Sequence, residues 1–486
     1  MPTSRNLYYN DARHHYLFVT EPPMSLEDAQ RPVDEVAGTA IDTFTYAVAR
    51  RDGLFYPSKV GMRFGGDILP LGNASWWRAW HNMQSLMDQE LDPLLVLIDR
   101  AHEKGMSFIA CLRVGAFGEM DATLNVRSGG SGLALAQVRD HALAVARELA
   151  QDYPLDGIEL DFTDPSGPAA STLLGYFVAE DLPVLTPVMT EWVRSVAVVM
   201  RERRGNPGVV GARIYPTEQV NLGAGLDVKT WLQEGLIDYV APTVQGTRVL
   251  HQHMDIDWLI ASAHEREVSV YPLLHPMYRE GAYATAPMMR AAFASYRSRG
   301  VDGLYTWALK WPPEKAQRDV LVEQGNPTVI RGGGEKHFFV PARQQKTGSM
   351  SSYESALPVS IAANDTGVRY AVPLYIADDL NQERAARLRL FVRGLVDADQ
   401  FTIYLNDQSV MTESCSHHFH DTLPPETGRW VEFALQSVRP QMGDNLLEVE
   451  LHRRGANDVS NPSAAHGTGL VQPFIVEDVE LTVSRA

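Results

Sequence analysis

The chain of 486 residues carries 43 Lys and Arg against 60 Asp and Glu, a formal charge of −17 at pH 7, and 45% of it is hydrophobic. That length exceeds one ordinary domain, and that apolar share excludes a mainly disordered or collagen-like chain. The acid excess argues against partnership with nucleic acid or an anionic membrane, because both need a basic surface.

The opening stretch, MPTSRNLYYNDARHHYLFV, lacks the basic segment, apolar run and cleavage site of a secretory leader. The chain as it stands is therefore expected in the cytoplasm, and in the periplasm or outside the cell if a leader precedes it. No apolar run approaches the roughly 20 residues that cross a bilayer. Hydrophobic periodicity predicts eight short strands alternating with longer helical stretches. The strands are read from Tyr16 to Thr20, Ile41 to Val48, Ser107 to Arg113, Gly157 to Phe162, Val209 to Tyr215, Tyr239 to Val244, Val268 to Leu274 and Gly303 to Leu309. Helix signals lie between them: Ser25 before Leu-Glu-Asp, Asp92 before Pro93, and Gly105 and Gly205 after basic last turns. Eight such units over about 325 residues favour a closed (β/α)8 TIM barrel over an open sheet. No GxGxxG follows the first strand, which argues against a dinucleotide-binding domain.

The barrel is assigned to residues 1–330, a linker and first strand region to 331–357, and an all-β, jelly-roll-like sandwich to 358–486. The last segment shows short alternating runs such as RLRLFVRGL and NLLEVELHRR, separated by Asp, Asn, Gly and Pro turns. Cys111 and Cys415 have no metal-ligand spacing and read as two buried free thiols. His251, His253 and Asp255 lack further ligands at a characteristic spacing, and SHHFH (His417, His418, His420) reads as a solvated loop. Neither metal nor cofactor is expected.

Functional groups of a TIM barrel sit at the C-terminal ends of its strands. The fourth strand, DGIELDF, is the most informative: Gly157, Glu159 and Asp161 share one face while Ile158, Leu160 and Phe162 share the other. The apolar set must face the helices, so both carboxylates point inward, Asp161 near the mouth and Glu159 about 6 to 7 Å deeper. Two like charges in a partly desolvated place favour one protonated acid, which suits general acid/base work. The alternative is a buried ion network in which Arg113 or Arg213 locks the two acids. Glu218 after the fifth strand is a partner carboxylate. Arg113, Arg213, Tyr215, Gln245, His275, Tyr278 and Trp307 are strand-end groups of types that stack on a sugar ring or bind its hydroxyls and carboxylate. Trp76 and Trp77, in the insertion after the second strand, read equally as a subsite wall or as pins for their loop.

With DGIELDF in a barrel setting and LYTWALKW at the eighth strand, the sequence resembles glycoside-hydrolase-like TIM barrels, in particular bacterial members with a GIELDF strand and a C-terminal sandwich. Family 18 chitinases have a related DGxDxDxE pattern; Asp156, Glu159 and Asp161 fall on its first three acidic positions and Thr163 where the catalytic Glu would be. The resemblance thus implies a carbohydrate substrate but not the chitinase mechanism.

Three functions follow. The leading one is a glycoside hydrolase with Glu159 or Asp161 as acid/base, acting on an oligosaccharide or polysaccharide. The second is a lyase eliminating across a uronic acid, with Arg113 and Arg213 quieting the carboxylate and His275 and Tyr278 as base and acid. The third is a sugar-binding protein without turnover. The sandwich packs on the barrel, binds glycan or mediates homo-oligomerisation.

Overall fold

The computed structural model describes residues 4–12, 16–50, 52–66, 72–115, 132–163, 176–177, 179–203, 205, 207–244, 249–279, 281–307, 313–326, 328, 330, 334–341, 355–380, 384–396, 398–419, 428–455 and 473–485. Eight parallel strands close into a barrel: Asn6–Asn10, Thr43–Arg50, Ser107–Arg113, Gly157–Asp161, Val209–Ile214, Tyr239–Pro242, a seventh in two pieces (Ser269–Val270 and Leu273–Leu274), and Leu304–Trp307. The two pieces of the seventh strand flank Pro272, which has no N–H to give to a ladder. The first piece pairs with the sixth strand and the second with the eighth. Tyr271 N donates to Val240 O at 2.9 Å and Tyr305 N to Pro272 O at 3.2 Å, so the ring is continuous through the break.

The first strand lies earlier than the sequence suggested. Tyr16–Val19 forms one helical turn, and Asn6–Asn10 pairs in parallel with both the second and the eighth strands. A four-residue apolar run such as YLFV does not distinguish the two states. In NLYYN, Leu7 and Tyr9 belong to the barrel interior and Tyr8 to the layer beneath the helices, the alternation of a strand with apolar surroundings on both faces.

Helix starts follow the side chains that cap them. Ser25 accepts from Asp28 N and Asp28 reaches back to Ser25 N, a capping box at Leu26–Asp34. Asp92 caps Pro93–Glu103 through Leu94 N and Leu95 N. Gly105 takes φ +75°, the left-handed turn that ends this helix.

The sandwich is antiparallel throughout. One sheet runs in the order Lys336–Phe339, Phe474–Arg485, Arg384–Arg393, Arg429–Leu435, Ser414–Phe419, with Val359–Ile361 also on Phe474–Arg485. The other runs Arg369–Ile376, Gly443–Arg453, Gln400–Leu405, Gln408–Ser409. Lys336–Phe339, inside the 331–357 segment, thus belongs to a sandwich sheet. Residues 416–419 of the SHHFH tract are part of the edge strand Ser414–Phe419 rather than a loop, while His420 lies outside the described residues; Cys415 on this strand is exposed, and Cys111 is buried inside the barrel. An edge strand needs polar side chains facing water, which the serines and histidines supply.

The two domains share one contiguous outer core, into which Phe338 and Phe339 carry the sandwich. Gln252, after the sixth barrel strand, donates to His337 O at 2.8 Å and accepts from Phe339 N at 2.9 Å. Tyr278, after the seventh, donates to Glu480 of the last sandwich strand.

Candidate active site at the barrel mouth

Parallel register puts Cys111, Glu159, Gly211 and Tyr239 on one rung, and Arg113, Asp161, Arg213 and Ala241 on the next rung toward the mouth. The predicted direction of the fourth-strand acids is therefore correct. Their surroundings are those of the alternative, a buried ion network with Arg213 at its centre. Glu159 and Arg213 are 0% exposed and Asp161 1%. Arg213 Nη1 donates to Asp161 Oδ2 at 3.0 Å, and Nη2 donates to Glu159 Oε1 and, at 3.1 Å, to the Tyr305 hydroxyl. Its guanidinium also lies 4.1 Å from the Tyr9 ring centroid.

The other described partners of the two acids are hydroxyls and one backbone N–H. Tyr239 donates to Glu159 Oε2 at 3.0 Å and Tyr305 to Oε1 at 3.1 Å. Thr163 donates to Asp161 Oδ1 through both N (3.0 Å) and Oγ1 (2.7 Å). The guanidinium lies between the two acids and compensates their like charges. Burial would weaken Arg213's hold on its proton, but Asp161 and Glu159 outweigh it and drive the pKa up. Tyr239 and Tyr305 are pushed up by burial first and by Glu159 next, so they remain donors.

Nearer the opening, Asp11 follows the first strand and accepts from Arg50 and, at 2.9 Å, from Arg113 Nη2. Arg113 Nε lies 3.9 Å from Asp161 Oδ2, linking the two acid sets. His275 is hydrogen-bonded to Thr243 Oγ1 at 3.1 Å and lies 4.7 Å from the Trp307 ring, which in turn is 4.4 Å from Tyr9. Trp307 is only half-buried, so it offers an aromatic surface at the mouth.

Thus Glu159, Asp161, Arg113, Arg213, His275 and Trp307 are brought together, and five other expected residues are not. Glu218 pairs with Lys229 at 2.9 Å on the surface, because it opens a short helix that Thr217 caps and directs away from the ring. Tyr215 is fully buried in the outer core. Tyr278 packs edge-on to Phe339 at 4.9 Å and belongs to the domain junction. Trp76 packs on Phe64 and the core, which favours the pinning role, while Trp77 is 43% exposed beside His81. Gln245 lies outside the described residues. His251 is buried and His253 exposed.

The sequence reading missed Tyr9 and Asp11 because it misplaced the first strand. It also missed Tyr239 and Tyr305, although each is an inward residue on the face of a strand already recognised.

No family model and no curated protein matches the chain. Among solved structures it shows distant structural similarity to TIM-barrel glycoside hydrolases. The C-terminal domain of a chitinase, so described, from Desulfitobacterium hafniense DCB-2 gives a TM-score of 0.42 at 13% identity, over 67% of this chain and 100% of that one. A bacterial fucosidase with a bound inhibitor gives 0.37 at 9% identity, over 93% of each chain. A β-1,4-mannanase of glycoside-hydrolase family 113 gives 0.36 at 13% identity, over 68% of this chain and 98% of that one. At these identities the likeness is one of fold.

Proposed function

We propose that this protein cleaves a glycosidic bond at the C-terminal mouth of the barrel, with Asp161 as the anionic group of the reaction. The observation that carries this reading is the place of Asp161 at the end of its strand, bonded to Arg213 and close to Arg113, beside the half-buried Trp307 and the Asp11–Arg113 pair. A carboxylate beside two guanidinium groups suits attack on an anomeric carbon or stabilisation of an oxocarbenium ion. In the retaining form, Asp161 forms an ester to the sugar as the leaving oxygen departs with a proton from a separate acid, and water then releases the sugar. Glu119, Asp121 and Asp164, in the segments after the third and fourth strands, are the candidates for that acid; they lie outside the described residues. Glu159 is a positioning residue that holds Arg213.

The lyase reading loses its support, since Arg113 is engaged by Asp11 and Arg213 by two acids. Binding without turnover is the second reading, favoured by the 1% exposure of Asp161.

Aryl glycosides and neutral oligosaccharides assayed with the full chain separate the two. Asp161→Gly should lose turnover by on the order of a thousandfold, about 4 kcal/mol of barrier. Added azide should restore cleavage of the aryl glycoside and yield a glycosyl azide. Retained turnover in Asp161→Gly would overturn the proposal, and glycan binding with no wild-type turnover would select the second reading.

A further inference from the structure

Beside the mouth, between barrel and sandwich, lies a cleft of about 1070 Å³. The barrel wall comes from the segments after the fifth and sixth strands, including Gln219, His253 and Asp255; the sandwich wall includes Tyr375, Asp444 and Leu446. Three observations define what it can hold. Among the described residues its lining carries three carboxylates, Asp255, Asp407 and Asp444, and neither Lys nor Arg, a balance that disfavours an anionic sugar or phosphate. Asp407 is already paired with Arg369 at 3.2 Å, which leaves two carboxylates as acceptors for hydroxyl groups. The His253 and Tyr375 rings stack face to face at 4.2 Å and 12°, joining the two domains and leaving each ring one outer face, and Leu446, 40% exposed, adds apolar surface. Acceptors beside an outer ring face and an exposed leucine match the hydroxyl edge and the C–H face of a pyranose.

The walls are fixed before any ligand arrives. Asn445 Oδ1 accepts from Asn406 Nδ2 and Gln441 N, both at 2.8 Å, and Asn406 Oδ1 accepts from Leu446 N at 2.9 Å. Gln252 ties the barrel side to the strand Lys336–Phe339. The Tyr375 hydroxyl meets Ser298 Oγ at 3.1 Å across the junction. A preformed site avoids the ordering cost of binding.

We propose that this cleft is a binding site for a neutral oligosaccharide, built jointly by the two domains. It is distinct from the Asp161 site and stands whether or not Asp161 acts in cleavage. Calorimetric titration of the full chain carrying Asp161→Asn, which blocks turnover at the mouth, with cellohexaose, maltohexaose, xylohexaose and chitohexaose tests it. At least one should bind, and adding Tyr375→Ala or, separately, Asp444→Ala should weaken it at least tenfold with an unchanged circular dichroism spectrum. Should Tyr375→Ala fail to fold, the Asp444→Ala result decides. Binding of none, binding indifferent to the cleft variants, or binding only of oligogalacturonate or spermidine would overturn the proposal. Failure of the mouth chemistry alone would leave these titrations unchanged.

Discussion

Arg213 occupies the place where a barrel of this size usually stacks aliphatic side chains. A guanidinium with no exposure is costly to desolvate, and the cost is offset only when each of its partners is also in place. Removing one charge of such a set leaves the opposite charge buried, which typically costs 3 to 5 kcal/mol. Glu159→Gln keeps the side-chain shape and one partner, Asp161, still faces Arg213, so a loss of about 3 kcal/mol is expected in urea unfolding. The pair Glu159→Gln with Arg213→Met should lose less than the sum of the single changes, since they share one interaction. Simple additivity would show that Glu159 does not act through Arg213. The presence of inward acids and arginines was legible in DGIELDF and in the third and fifth strands. Which of them neutralise one another was not, because that depends on rotamers chosen jointly by four strands.

At the level of the strands, the close approach of Tyr239 to the fifth strand explains Gly211. A Cβ there would lie 2.0 Å from Tyr239 Cζ, so the ring could not hold its place and its bond to Glu159. Gly211→Ala should therefore destabilise by about 3 kcal/mol, from overpacking and a lost hydrogen bond. Differential scanning calorimetry checks this, with Tyr239→Val relieving much of the added cost in the double variant. An undisturbed midpoint in Gly211→Ala would show that the ring has room to move. Seven of the eight strands were visible in the sequence because their apolar faces alternate or run continuously between turn signals. Asn6–Asn10 was hidden by the more apolar YLFV a few residues later. Tyr9 and Asp11, which complete the mouth, were hidden with it. The edge strand Ser414–Phe419 was obscured for the opposite reason: its solvated residues have the composition of a loop.

Across the whole molecule, the barrel and sandwich meet over a charged cluster that no local pattern announces. Burial would raise the pKa of Glu480, but His337, Arg389 and Tyr278 outweigh it and hold it at about 2. Two residues earlier, Asp478 is raised to about 6, by burial first, against the attraction of Arg279. The two carboxylates act with opposite sign. Glu480, lower in the folded chain, contributes stability above its unfolded value of 4.5 that is lost as pH falls toward 2. Asp478, higher in the folded chain, contributes stability that is complete below 3.8 and lost as pH rises through 6. Asp478→Asn should remove this second contribution, so the difference in thermal midpoint between variant and wild type should move in the variant's favour between pH 4 and pH 7. A constant difference over that range would show that Asp478 titrates normally.

The last described strand, Phe474–Arg485, is hydrogen-bonded to Arg384–Arg393 on one side and to Lys336–Phe339 and Val359–Ile361 on the other. During synthesis the ring can close as soon as Leu304–Trp307 meets Asn6–Asn10, while the larger sandwich sheet waits for residues made more than 80 positions after Arg393. Until they emerge from the ribosome, Arg384–Arg393 has a bare flank, and a nascent chain stalled at that stage is the form most open to chaperone capture or to pairing with a neighbouring copy.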